Sequence, residues 1–236
     1  MFSRILERHG PEIVGALIFE RPKRDRALSS VQRALALDGI RGVPRLAAHA
    51  ARHAWRGLRC SPPHFFRIES LFKRHAVPVW HFARPNESAC IDRLRRLGPD
   101  VVHNVQPWRL QRDVLAVPRL ACVNQHAGDL SRYRGLEPVV RALLNGDSEF
   151  HVTIHTMTEA YDAGDVLARA VLPMKQSVFE CYRDAFDAVP DLLDRALGLL
   201  SQGDTGPRID PASTPYYGAF SADEIRRFRQ ARLRYL

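Results

Sequence analysis

The segment from residue 77 to residue 105, VPVWHFARPNESACIDRLRRLGPDVVHNV, sets the architecture. It reads as strand, helix, strand. Residues 77–82 form a short apolar run of strand length. A helix starts at Asn86, carries Ile91, Leu94 and Leu97 on one face, and stops at Gly98-Pro99. Residues 101–105 are the next strand, and residues 120–123 another. Strands alternating with helices predict an α/β fold, doubly wound around a mostly parallel sheet.

The same reading extends outward. Upstream, residues 5–9 close a helix and residues 12–19 form a buried strand, with the strand proper at 14–19. Residues 20–45 are basic and loop-like or weakly helical. Residues 46–58 are helical, with Arg52 and Arg56 four apart, and Ser61-Pro62-Pro63 ends that helix. Residues 66–75 form one more helix. Downstream, the chain turns helical after Gly135 as far as Leu144, and residues 150–157 and 166–173 are strands at one side of the sheet. Residues 177–200 are a long amphipathic helix that Pro190 kinks or divides. A polar linker covers 203–215, and Ser221-Ala222-Asp223-Glu224 is a capping box opening a strongly basic helix to the end. The expected division is an α/β domain over residues 1–202, and a linker with a basic C-terminal helix over 203–236.

With 236 residues and 45% hydrophobic content the chain can bury one large α/β core. No stretch is long and apolar enough to span a membrane, and Met1-Phe2-Ser3-Arg4 leads into charge rather than an apolar leader, which predicts a cytoplasmic protein. Cys60, Cys90, Cys122 and Cys181 are scattered singly, as reduced structural thiols are. No two histidines stand with a carboxylate in ligand spacing, so no metal is expected. The formal charge of +9 favours an anionic partner such as phosphate, nucleotide or RNA; the competing reading is an Arg-rich, GC-biased proteome.

The strongest chemical signal is Val123-Asn124-Gln125-His126-Ala127-Gly128, just after a strand. Sites in open α/β sheets form beyond the carboxyl ends of strands. Asn and His at i and i+2 of an extended segment point the same way, so both reach one reacting carbonyl. Then come Tyr133-Arg134-Gly135, Val152-Thr153-Ile154-His155 and Tyr161-Asp162-Ala163-Gly164-Asp165. In this order, over about residues 98–173, they resemble the folate-dependent formyltransferases, a family that includes glycinamide ribonucleotide formyltransferase, methionyl-tRNA formyltransferase and sugar N-formyltransferases. Two departures stand out: Gly128-Asp129-Leu130-Ser131 where the family has Ser-Leu-Leu-Pro, and His151 before Val-Thr where it has Gly. The family also opens with a strand and a Gly/Ser-rich turn, whereas this chain begins in what reads as the following helix, so a normally interior strand is expected to be missing.

The resemblance implies formyl transfer from 10-formyltetrahydrofolate to a primary amine, through a tetrahedral oxyanion that expels the folate nitrogen. Asn124 then supplies a donor for the oxyanion, worth about 3 kcal/mol of barrier. His126 manages the proton, and Asp162 orients the imidazole and favours its charged form. Trp108, Arg109 and Leu110 would wall one side of the pterin slot, and Thr158, Glu159 and Ala160 the other through their backbone groups. His155 supports the catalytic pair or is simply a buried hydrogen-bonded histidine; His53, His75 and His103 have no assigned role. The acceptor is expected to be a small, anionic amine, either a nucleotide-linked amino sugar or a phosphorylated metabolite. Its pocket is expected in residues 20–65 and 125–135. A transfer-RNA acceptor is not expected, because that branch carries a C-terminal β-domain and here the last 30-odd residues read as helical. The alternative is a degenerate relative that binds folate or nucleotide without turnover. The shortened N-terminus favours that alternative, and the intact Asn124, His126 and Asp162 argue against it. The oligomeric state is not legible.

Overall fold

The computed structural model describes residues 1–19, 31–39, 43–45, 47–48, 51 and 68–235. The N-terminal part contains α1 (Phe2–His9), β1 (Ala16–Phe19), α2 (Val31–Asp38), α3 (Ile68–Arg74) and β2 (Val79–Phe82). Next are α4 (Ser88–Leu97), β3 (Val101–Asn104), α5 (Arg112–Leu115) and β4 (Ala121–His126). Then follow β5 (Arg134–Gly135), α6 (Pro138–Leu144), β6 (Glu149–Thr156), β7 (Gly164–Pro173) and α7 (Val178–Ser201). The tail holds β8 (Arg208–Ile209), β9 (Tyr216–Tyr217) and α8 (Ala222–Gln230). Among the described residues no helix is long and apolar enough to cross a membrane.

The main sheet has five strands in the order β3-β4-β6-β7-β8. The expected α/β layering is present, and β1·β2, β3·β4 and β5·β9 are parallel pairs. Within the main sheet, however, β4·β6, β6·β7 and β7·β8 are antiparallel, so "mostly parallel" describes only its β3·β4 half. Only a short turn separates β6 from β7, and a connection that short permits only an antiparallel return. β1 and β2 form a separate two-stranded sheet. Leu17, Phe19 and Phe82 from it nevertheless pack with Val102 and Cys122 of the main sheet on Cys90, Ile91 and Leu94 of α4. One helix therefore covers both sheets, while among the described residues no strand joins them.

Several boundaries differ from the sequence reading for local reasons. β1 starts at Ala16 because Pro11 sits in a 3-10 turn over Gly10–Glu12. β2 begins after Pro78, whose carbonyl accepts from Ala16 N–H at 2.9 Å. Asn86 does not open α4. Its side chain instead accepts from Gln111 N–H at 2.9 Å and donates to the Arg109 carbonyl at 2.8 Å, bracing the loop after β3. α7 runs unbroken through Pro190. Its N-cap is Ser177, which accepts from Glu180 N–H. The helix expected over 46–58 lies mostly outside the described residues, as do residues 66–67.

The tail is built onto the same core. β8 pairs with β7, β9 pairs with β5, and α8 carries the expected capping box between Ser221 and Glu224. α8 ends at Gln230 rather than at the terminus. Its charged face is exposed, while on the other face Phe228 is fully buried in the main cluster with Val139, Phe150 and Leu192. Phe228→Ala is expected to cost about 3–5 kcal/mol and to leave one unfolding transition. Urea denaturation followed by fluorescence and circular dichroism checks this; two separate transitions, with the α/β part unaffected, would contradict it.

Candidate active site

β4 ends at His126, two residues past Asn124, so both lie on the strand and not in the turn beyond it. The pleat sends them to the same face. Register places Asn124 opposite His155 and His126 opposite Thr153 on β6. On the other side Asn104 of β3 stands beside Asn124. A polar row thus crosses three adjacent strands.

Asp162 reaches this row from the β6–β7 turn. Its backbone is left-handed, with φ of 48°. Its Oδ1 lies 3.7 Å from His126 Nδ1, ion-pair distance but longer than a hydrogen bond, and its Oδ2 accepts from Gly135 N–H at 2.8 Å. The other edge of the imidazole is also held: Nε2 donates to the Tyr133 carbonyl at 2.7 Å. A carbonyl only accepts, so Nε2 carries the proton, and Nδ1 is the nitrogen left facing Asp162.

Arg134 holds the turn that carries Asp162. Arg134 is 4% exposed, and among the described residues no carboxylate lies within ion-pair distance of its guanidinium. It donates instead to the carbonyls of Tyr161 at 2.8 Å, Asp162 at 2.9 Å, Pro211 at 3.0 Å and Thr214 at 3.1 Å. Two of these belong to the turn that carries Asp162 and two to the tail. Gly135 follows with φ of 99°, and a Cβ there would stand 2.1 Å from the Tyr217 carbonyl, so only glycine allows β9 to pair. The Tyr-Arg-Gly motif was visible in the sequence, but no role could be read for Arg134, because its partners lie up to 80 residues away.

Two histidines are kept neutral. Burial, and then the nearby His126, push the His155 pKa down. Its Nδ1 donates to the Thr156 carbonyl at 2.8 Å, and the backbone of Ala163 lies close to the buried ring. Burial likewise pushes His103 down to about 4. A cavity of about 350 Å3 beyond β4 is lined by Asp129, Arg132, Tyr133, Asp147, Glu149 and His151 among others. It adjoins Gly128, where a Cβ would lie 3.0 Å from the Nε2 edge of His126.

The two loops expected to hold a pterin do come together. Arg109 Nε donates to the Glu159 carbonyl at 2.6 Å across the gap. Trp108 is half-buried, with Met157 on the neighbouring apolar cluster. Leu110 is buried in that cluster, so its side chain lies behind the slot and does not form its wall. The Thr158 hydroxyl occupies both Ala160 N–H and the Ala160 carbonyl at 3.2 Å. Among the described residues no group of three or more potential ligands could hold a metal ion. Residues 20–30 and 52–65 of the expected acceptor pocket lie outside the described residues, as does His53.

A strand-end Asn and His thus stand together with a carboxylate from the β6–β7 turn. The family model described as formyl transferase matches residues 58–180, and the chain belongs to that family. A methionyl-tRNA formyltransferase of Magnetococcus marinus is 32% identical over 78% of this chain and 59% of its own. The chain spans about half the length of the curated relatives it matches, at 59%, 44% and 47%. Among solved structures, HypX from Aquifex aeolicus in complex with tetrahydrofolic acid matches with TM-score 0.53 and 21% identity, over 65% of this chain and 27% of that one. The N-formyltransferase of Helicobacter canadensis, in complex with folinic acid and dTDP-3-aminofucose, matches with TM-score 0.54 and 13% identity, over 70% and 63%. These structures share the fold. The curated relatives overturn the expectation against a transfer-RNA acceptor, since those most similar in sequence are named for methionyl-tRNA. The expectation rested on the helical reading of the last 30-odd residues, and the chain matches only part of the length of those relatives.

The depressed His103 gives a pH prediction. An unfolded histidine takes up a proton near pH 6.5, whereas folded His103 does so only near 4. Its contribution to stability is therefore complete above about 6.5 and declines as pH falls toward 4. Urea midpoints measured across that range should fall less steeply for His103→Leu than for the wild type. Parallel slopes would contradict the burial of this ring.

Proposed function

We propose that this chain transfers a formyl group from 10-formyltetrahydrofolate to a primary amine. The observation that carries the reading is the pairing of His126 Nδ1 with Asp162 at 3.7 Å, one strand residue-pair from Asn124. The donor supplies an activated formyl carbon. The attacking amine must lose a proton, the leaving folate nitrogen must gain one, and the formyl oxygen carries negative charge in between. The Asn124 amide is a donor for that charge. His126, locked through Nε2 on Tyr133, moves the proton at Nδ1. Asp162, itself held by Gly135 N–H, stabilises the imidazolium that forms.

The slot between residues 108–110 and 158–160 suits a reduced pterin chemically. A half-buried Trp108 and Met157 offer apolar faces, and the Arg109 and Glu159 carbonyls offer acceptors at the rim. The guanidinium that bridges it belongs to an exposed residue and holds only a backbone carbonyl, so a ligand edge can take its place.

Methionyl-tRNA is the first acceptor to test, because it is named for the relatives of highest identity. The net charge of +9 suits so anionic an acceptor. A dTDP-linked amino sugar, the acceptor class in the Helicobacter canadensis complex, is the second. Both carry phosphate and a primary amine. Incubation with 10-formyltetrahydrofolate and each acceptor, read by mass spectrometry, should show a formyl adduct on one of them. Asn124→Ala, His126→Ala and Asp162→Ala should each cut turnover by a factor on the order of 100 or more and leave folate binding in place. Trp108→Ala should instead weaken binding of 5-formyltetrahydrofolate. Near-wild-type turnover in Asp162→Ala would remove the carboxylate from the centre. A folded wild type that forms no adduct on any amine would favour the reading of a folate binder without turnover.

A further inference from the structure

We infer that Asn104 is a positioning residue, which fixes the end of the Asn124 amide that is free for substrate. The inference rests on the formyl-transfer reading above. The two ends of an amide are nearly equal in shape, so partners must decide between them. Here two backbone groups decide. The Trp108 N–H can only donate, and it lies 2.7 Å from Gln106 Oε1. That turns Gln106 Nε2 toward Asn104 Oδ1, 2.7 Å away. The Gln106 carbonyl can only accept, and Asn104 Nδ2 donates to it at 3.0 Å. The Asn104 amide is thus fixed from both ends.

The same Nδ2 lies 3.5 Å from Asn124 Oδ1. An Asn124 turned over would set one NH2 group against another, with no acceptor between them. Asn124 therefore keeps its oxygen toward Asn104 and its Nδ2 free. Among the described residues no protein group accepts a hydrogen bond from that Nδ2. It is the donor an oxyanion requires; the opposite face of the amide would present a second oxygen to the developing charge.

Burial strengthens the case. Asn104 is 6% exposed at the end of β3, after Val101 and Val102. A buried amide in such a place is costly unless its bonds are made, and each of these bonds runs toward Asn124 or toward the loop that starts at Trp108. Gln106 also links the oxyanion donor to the loop proposed to hold the pterin. The sequence reading singled out neither residue, because an Asn and a Gln in a strand end match no motif.

The test is a double-mutant cycle, run with 10-formyltetrahydrofolate and hydroxylamine as a minimal amine, and repeated with methionyl-tRNA. Asn104→Asp keeps the size and removes the donor. It should lower kcat toward the level of Asn124→Ala, a loss on the order of 100-fold. The KM for the folate should stay within about twofold, since the side chain acts through another group, while the urea midpoint should fall because the new carboxyl is buried against the Gln106 carbonyl. In an Asn124→Ala background Asn104→Asp should cost nothing further, because the group it orients is gone. Should Asn104→Asp fail to fold, Gln106→Leu breaks the same chain at a half-buried position; it should show the same kcat loss and the same absence of further loss in the Asn124→Ala background, with a raised folate KM besides, because Gln106 Oε1 holds the Trp108 N–H. A kcat near wild type, or an equal loss in both backgrounds, overturns the inference alone. A wild type no faster than Asn124→Ala, or inactive on both amines, overturns the formyl-transfer reading and this inference with it.

Discussion

A buried guanidinium with no carboxylate beside it must be solvated by dipoles, and Arg134 is solvated by four backbone carbonyls from two distant segments. Hydrogen bonds to a charged group contribute about 1.5–3 kcal/mol each, and a buried charge left without them costs several more. The turn carrying Asp162 and the tail at residues 211–214 are therefore fixed to one point. Gly135, next in sequence, hands its N–H to Asp162 and lets β9 pair alongside. The preceding residue, Tyr133, supplies the carbonyl that sets the tautomer of His126. Three consecutive residues thus place the carboxylate, the imidazole and the tail.

The sheet supplies the rest of the centre. β4 runs parallel to β3 and antiparallel to β6, so Asn104, Asn124 and His155 form one row across three strands. The polar atoms in that row are spent on one another or on backbone, apart from the few that face the cleft. His155 is neutral because burial and His126 both disfavour its charge. Asp162 is the carboxyl group that faces His126 Nδ1, at 3.7 Å.

What could be read in advance followed the range of the signals. The capping box at Ser221–Glu224, the stop at Gly98 and the strand periodicity are local, and the structure keeps them. The Asn124, His126 and Asp162 set was legible because three short motifs stand in a fixed order. The antiparallel turn of the sheet was not legible, since strand direction depends on pairing and not on composition. Pro190 does not divide α7, since burial of Val189, Leu192 and Leu193 holds the helix together across it. The role of the tail was hidden because Phe228 and β9 find their partners only through the fold.

The central claim is that the Asn124, His126 and Asp162 row receives the formyl group of a reduced folate. A crystal structure with 5-formyltetrahydrofolate tests it most directly. The account places the pterin between residues 108–110 and 158–160, with Arg109 displaced from the Glu159 carbonyl and the formyl end of the ligand toward Asn124 Nδ2 and His126 Nδ1. A pterin bound outside that slot, or a formyl group on the far side of β4 from this row, would contradict it.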